Sequence, residues 1–157
     1  MRSLRIAGIA LLAALAVGAE PPSAAFDLTG TWMGMVPGKG RRLDSDIAFQ
    51  FVQHGAELSG KLYVDKQPGA AILEGRVSEL GDIHFLVETR DQSGNQINDV
   101  RYRFEGVMCD GGIEMTLERV FQRDAISGDI TPVSRPDDTP AQDRDRRFRS
   151  FRLEKLY

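Results

Sequence analysis

Histidines and acidic residues are the first side chains to weigh for catalysis or metal binding. His54 lies in a stretch typical of a turn, and His84 takes an outward position in an alternating segment, so we do not expect them to share a metal ion. Glu114 and Glu118 fall on one outward face, beside strands that carry arginines. An exposed charge ladder is a commoner arrangement than a general acid and base. We therefore predict neither a metal site nor a catalytic pair.

Motifs for nucleophilic catalysis and phosphate binding are also missing from the sequence. The chain has no Gly-x-Ser-x-Gly, and "GKGRR" at 38–42 lacks the spacing of a phosphate-binding loop. Cys109 is the only cysteine, which excludes an intramolecular disulfide, and we expect a packing residue rather than a reactive thiol. The sequence therefore favours a protein that is not an enzyme and needs no cofactor.

Alternating apolar residues point to a different chemistry, the binding of a small apolar ligand inside a barrel. Pockets of this kind are lined mainly by apolar and aromatic side chains. The residues expected to line it are Phe49, Phe51, Phe85, Tyr102, Phe104 and Met115. Tyr102 would add a polar contact, and Arg41 and Arg42 are expected at the rim.

Segments with a period of two would position these side chains. Ile47, Phe49 and Phe51 alternate with outward residues, as in a half-buried strand. Similar segments lie near 30–36, 46–53, 57–65, 70–79, 82–90, 97–108, 112–121 and 148–156. Clusters that contain glycine separate most of them. The sequence predicts an all-β fold, an antiparallel up-and-down meander closing into an eight-stranded barrel, which could be filled by side chains or hold one small ligand.

Connections between these strands sort into two ends of the predicted barrel. Tight turns at 54–56, 80–81 and 109–111 share one end. Longer connections share the other end, among them 90–96 and 122–147, and the last is rich in proline and aspartate with no apolar period. We expect a closed end, a loop-rimmed mouth and a long mobile loop at 122–147.

The first 25 residues have the pattern of a signal peptide. Arg2 and Arg5 precede an apolar run at 6–19, which suits a signal-peptide core and is shorter than the ~20 residues of a transmembrane helix. Small residues allow cleavage after Ala19 or Ala25. We expect residues 26–157 to form a single exported domain, periplasmic or secreted, with no stable membrane span. The alternative is an uncleaved anchor.

The charge of the chain argues against a nucleic-acid partner. The net charge is −3, and removing residues 1–25, which hold two arginines and one glutamate, makes it −4. A protein that binds a phosphate backbone needs a basic surface. No nucleic acid is therefore expected among the partners.

The stretch "LTGTW", residues 28–32, resembles the first strand of known small barrels. Gly30-x-Trp32 on a first strand is similar to the start of lipocalins, and the five residues together look like the first strand of avidin-like barrels. Both belong to the calycin architecture. The stretch is also similar to exported bacterial barrels of unestablished function that begin Thr-Gly-Thr-Trp-x-Gly. This resemblance implies a calycin-type barrel.

The lipocalin resemblance also implies a structural role for Trp32. In that family the tryptophan packs at the closed end, beneath an arginine of the last strand. The last strand here is "RSFRLEKL", and Arg152 is the arginine expected by register to stack on Trp32. Such a contact is worth ~0.5–2 kcal/mol. The alternative is an ordinary core tryptophan, with Arg152 facing solvent.

Two classes of function remain open from the sequence. The first is an exported, non-enzymatic barrel that binds a small apolar ligand in its interior. The second is a cell-envelope accessory or protein-interaction module whose barrel is packed solid and holds no ligand. The volume left inside the barrel distinguishes them.

Overall fold

The computed structural model describes residues 26–38, 43–65, 67–93, 95–131 and 148–156, none of which is helical. This part of the chain therefore contains no helix that could cross a membrane. The strands are β1 (Gly30–Val36), β2 (Ser45–His54), β3 (Glu57–Val64), β4 (Ala70–Val77), β5 (Asp82–Ser93), β6 (Gln96–Cys109), β7 (Gly112–Asp124), β8 (Ile130–Thr131) and β9 (Phe148–Lys155). The predicted signal peptide, Arg41 and Arg42 and residues 132–147 of the predicted loop lie outside the described residues.

The strands form one antiparallel meander that closes into a ring. Each strand from β1 to β7 pairs with the next, and β9 lies between β7 and β1. Eight strands therefore form the barrel, while β8 pairs only with the end of β7. The predicted all-β fold and the closure into an eight-stranded barrel are confirmed.

Alternation along each strand sends one set of side chains into the barrel. In β2, Ile47, Phe49 and Phe51 are at most 2% exposed, whereas Gln50 between them is exposed. Aromatic and branched residues suit such a pleated, half-buried surface. Removing this apolar surface from water is the main force that holds the barrel together.

Two glycines allow neighbouring strands to approach closely where the sheet bends. Gly60 of β3 lies opposite Phe51 with φ near +138°, and a Cβ there would collide with the carbonyl oxygen of Gln50. Gly75 of β4 faces the carbonyl oxygen of Leu58 in the same way. The pairing register of β4 shifts beside Gly75 with respect to both of its neighbours. The bend is the kind that glycines and β-bulges produce in barrels.

The segment 26–29 crosses one end of the barrel, which we call the lower end and which also holds the turns at 55–56, 78–81 and 110–111. The half-buried ring of Phe26 packs against the core and lies over Gly81. Leu28 is fully buried, and its carbonyl accepts a hydrogen bond of 2.8 Å from the indole nitrogen of Trp32. The lower end is therefore covered by the chain itself.

Gln53 ties segment 26–29 to the lower end. Its Oε1 accepts from the backbone nitrogen of Leu28 at 2.9 Å, and its Nε2 donates to the carbonyls of Phe26 and Gly55 at 3.2 and 3.0 Å. Leucine at this position would leave these partly buried backbone groups without their partner.

We expect Gln53→Leu to lower the free energy of unfolding by about 2 kcal/mol, since each partly buried group that loses a hydrogen bond costs on the order of 1 kcal/mol. Urea denaturation would measure the loss. Gln50→Leu, on the exposed face of the same strand, is the matched control and should change stability little. Equal stability of the two variants would contradict the role of Gln53.

Two predicted connections differ from the structure. The expected longer loop at 90–96 is largely strand, because β5 and β6 continue pairing from Asp91 with Asn98 to Ser93 with Gln96. The predicted loop at 122–147 begins inside β7, which runs to Asp124, and then turns back into β8. The carboxylate of Asp124 accepts hydrogen bonds from the backbone nitrogens of Ile126 and Ser127, which stabilises that turn.

Candidate functional site

Four phenylalanines meet inside the barrel. Phe49 stacks on Phe51 with ring centroids 5.2 Å apart, and Phe85 stacks on Phe104 at 4.9 Å. The two stacks contact each other edge to face at 5.4–5.7 Å, and all four residues are at most 1% exposed. These separations are typical of favourable aromatic pairs. The rings therefore contact one another at the place where a ligand was expected.

The other two residues predicted to line the pocket join the same interior. Met115 of β7 is 1% exposed and belongs to the core. Tyr102 of β6 is half-buried and packs against the core, toward the end of the barrel that is opposite segment 26–29. The structure thus brings all six predicted lining residues into one interior, and five of them are fully buried in its packing.

Lys155, rather than Arg152, is the cation beside Trp32. In the pairing of β1 with β9, Trp32 lies opposite Lys155, whose Nζ is 5.6 Å from the centroid of the indole ring. Arg152 instead pairs with Glu114 at 2.6 Å and donates to the carbonyls of Cys109 and Asp110 at 3.2 Å. The expected stack of Arg152 on Trp32 was wrong. The side chain of Arg152 points to the outer face, and Lys155, which lies beside the ring, is three residues further along β9. Trp32 itself is a buried core residue, 2% exposed.

Carboxylates on the outer face are paired with arginines. Arg101 pairs with Glu88, and Arg103 lies 3.5 Å from Glu118. The predicted ladder is present in part, since Glu114 pairs with Arg152 of β9 rather than with a residue of β6. Glu118, expected to be solvated, has a side chain only 9% exposed. These contacts join neighbouring strands across the sheet.

Asp99 bridges two arginines on the outer face. It accepts from Arg123 at 3.0 Å and from Arg90 at 3.1 Å. The Arg123 guanidinium, followed by that of Arg90, holds the pKa of Asp99 below its ordinary value of 3.8. A lowered pKa in the folded state adds stability above the unfolded pKa, and this stability is lost as the pH falls through the folded pKa.

We expect a carboxyl NMR titration to place the midpoint of Asp99 below 3.8, and Arg123→Gln to move it upward. The shift of the midpoint reports the guanidinium directly, without relying on a change in stability. Arg76→Gln, which removes an exposed arginine paired with Glu57 instead, should leave the midpoint of Asp99 in place. An unchanged midpoint in Arg123→Gln would contradict this cause.

A cleft of about 540 Å³ lies on the outer face beside the bend in β4. Its ionisable lining residues are Glu74, Asp82, His84, Arg103 and Glu105. His84 lies opposite Glu105, and Glu74 adopts a positive φ of 53° at the register shift. The strand alternation placed His84 outward but gave no sign of a cleft. Gly75 inside a strand pattern was the available signal, since such glycines often mark bulges.

Among the described residues, the two histidines and the cysteine lie apart from one another. No group of three or more His, Cys, Asp or Glu residues among them is arranged to hold a metal ion. His54 and His84 lie in different parts of the sheet, the first at the end of β2 and the second in β5. Cys109 is exposed at the end of β6, not packed as expected.

Comparison with known proteins leaves the chain without an assigned family. No protein-family model matches the sequence, and no curated protein matches it either. The closed antiparallel barrel is compatible with a calycin-like architecture. The function must therefore be argued from the chain's own geometry.

Proposed function

We propose that this protein is an exported, non-enzymatic β-barrel that acts through its surface, as an interaction module of the cell envelope. The observation that carries the proposal is the mutual contact of Phe49, Phe51, Phe85 and Phe104, with neighbouring centroids 4.9–5.7 Å apart. A barrel filled in this way is a rigid support for its outer face and loops. Binding on rigid supports of this kind is commonly carried by the loops.

Filling of the interior weighs against an apolar ligand held inside. Such a ligand would have to separate stacked rings that are already shielded from water, and each aromatic pair contributes ~0.5–1.5 kcal/mol beyond its burial. Burial of the ligand would replace contacts that exist rather than fill a void. The free energy gained by a ligand would therefore be smaller than in an empty cavity, which favours a binding surface outside the core.

A neutral fluorescent apolar probe, N-phenyl-1-naphthylamine, tests the proposal directly. We expect no saturable binding by residues 26–157. The proposal is contradicted if the probe binds at one site and Phe51→Leu alters its affinity while Val52→Leu does not. Val52 is the matched control because it follows Phe51 in β2 but points to the outer face, where it is 39% exposed.

Export is part of the proposal and rests on the N-terminal pattern of Arg2, Arg5 and the apolar run at 6–19. Fractionation of the source cells, followed by N-terminal sequencing, would test it. A chain that starts at Glu20 or Phe26, in the periplasm or the medium, is expected. A chain that retains Met1 in the membrane fraction would instead support an uncleaved anchor.

A further inference from the structure

Arg149 faces the inside of the barrel at the end opposite segment 26–29, which we call the upper end. It lies opposite Leu117 of β7, which packs against the core. Along β9 it also shares the phase of Phe151 and Leu153, both of them buried. Because residues two apart in a strand point to the same face, Arg149 belongs to the inward set, and it is half-buried there.

Arg119 belongs to the same inward set, because it continues the alternation of Met115 and Leu117 along β7, although its side chain is exposed at this end of the barrel. It lies opposite Tyr102, and the register then shifts so that Arg101 faces Phe121. Arg101 and Phe121 are on the outer face, where the guanidinium lies 5.9 Å from the ring centroid. The extra residue is Val120.

The hydrogen bond from Arg119 supports this assignment of faces. Its Nη1 donates to Oε1 of Gln122 at 2.7 Å. Gln122 lies opposite Val100, which is 3% exposed and inward. The two arginines therefore lie on adjacent strands at the upper end, together with the half-buried Tyr102.

Ion pairing with carboxylates distinguishes the other described arginines from Arg119 and Arg149. Within the described ranges, six arginines lie within ion-pair distance of a carboxylate, and they are Arg76, Arg90, Arg101, Arg103, Arg123 and Arg152. Arg119 and Arg149 have no such partner among those residues.

Two inward carboxylates of the upper end must be weighed as partners. Asp124 accepts from the backbone nitrogens of its own turn, and Asp91, opposite Asn98, is exposed. Neither forms an ion pair with Arg119 or Arg149. A half-buried guanidinium gains most from a carboxylate that it can bind through two hydrogen bonds.

We propose that the upper end of the barrel binds an acidic peptide segment of a partner protein, whose carboxylates pair with Arg119 and Arg149. The proposal rests on the proposed function, because binding outside the core calls for a partner surface rather than a small amphipathic acid whose tail enters the barrel. Large apolar side chains are exposed at the same end, namely Leu43 (88%), Ile126 (75%) and Ile130 (63%). Exposed apolar side chains at the same end as cations that have no carboxylate partner among the described residues suit a segment in which acidic and apolar residues are mixed.

Fluorescence anisotropy of residues 26–157 with a short fluorescein-labelled peptide of alternating Glu and Leu tests this. We expect binding that weakens as salt is added, and a loss of about tenfold in affinity for Arg149→Gln and for Arg119→Gln, the usual effect of removing a charge-assisted hydrogen bond. Arg76→Gln removes the same charge from an exposed ion pair at the lower end, and it should keep the parent affinity. A peptide of alternating Gln and Leu should bind far more weakly.

Equal affinities of Arg149→Gln and Arg76→Gln, or equal binding of the Glu and Gln peptides, would overturn the proposal. Binding of octanoate tests whether the arginines instead take the carboxylate of a small molecule. If octanoate binds in a manner that needs Arg149 and the peptide does not bind, the carboxylate belongs to a small molecule and the peptide partner is excluded. If the peptide does not bind and N-phenyl-1-naphthylamine does not bind inside the barrel either, the peptide proposal fails but the proposed surface function stands. If N-phenyl-1-naphthylamine binds inside the barrel, the proposed function itself is rejected.

Discussion

Replacing Phe49 by Ala is expected to lower the free energy of unfolding by about 3–5 kcal/mol, the range found for large aromatic side chains removed from packed cores. Phe49 is fully buried and contacts three other rings, those of Phe51, Phe85 and Phe104. Its loss would remove burial and ring contacts together and leave a cavity that the rigid ring of strands cannot close. Denaturant unfolding followed by tryptophan fluorescence would measure the effect.

Val52→Ala is the matched control for Phe49→Ala, because it shortens an apolar side chain of the same strand on the outer face. Its expected cost is below ~1 kcal/mol. If Phe49→Ala were as mild as this control, the interior would be loosely filled, and the argument for a surface-acting barrel would lose its main support. The measurement therefore bears on function as well as stability.

Gly60→Ala is expected to cost roughly 3–5 kcal/mol, the sum of backbone strain and steric overlap. The φ of Gly60 near +138° is one that residues with a side chain rarely adopt, and the new Cβ would meet the backbone of Gln50 rather than a flexible side chain. Relief would require β2 and β3 to move apart at the bend. Thermal unfolding and the retention of the β-type circular dichroism spectrum would report this.

Gly111→Ala separates the two contributions. Gly111 also has a positive φ, of 77°, but no atom lies within 4 Å of the position that a Cβ would take. Its expected cost is about 1 kcal/mol, from the backbone conformation alone. Similar losses for the two glycine variants would show that the close approach of β2 to β3 contributes nothing.

Strands were predictable from the sequence because one face of each is buried and the other is exposed. Phe49 and Phe51 in β2, and Ile83 and Phe85 in β5, carry that alternation in a few neighbouring residues. The bounds of β2 differ by only one residue at each end, since His54 and Ser45 lie where the alternation weakens. Local patterns were therefore sufficient for the existence of the eight barrel strands and for the fold class.

Contacts that depend on register between distant strands were not predictable. The choice of Lys155 over Arg152 as the neighbour of Trp32 depends on how β9 slides against β1, which no local pattern specifies. The outward position of Phe121 and the inward position of Gln122 depend on the extra residue at Val120, which shifts the phase within β7. Whether four phenylalanines leave a cavity or fill it depends on the width of the whole ring. A sequence pattern does not carry that quantity.

The pairing of β1 with β9 has a consequence for how the molecule is made. Trp32, Met33 and Gly34 reach their partners only after Lys155, Glu154 and Leu153 have been synthesised. Until then β1 presents an open edge, and open edges can pair with strands of other chains. Contacts between the first and last strands also raise the contact order, which slows folding. The barrel therefore cannot close on the ribosome before its last strand emerges, and a chain threaded through a membrane would complete its fold only when its C-terminal strand had crossed.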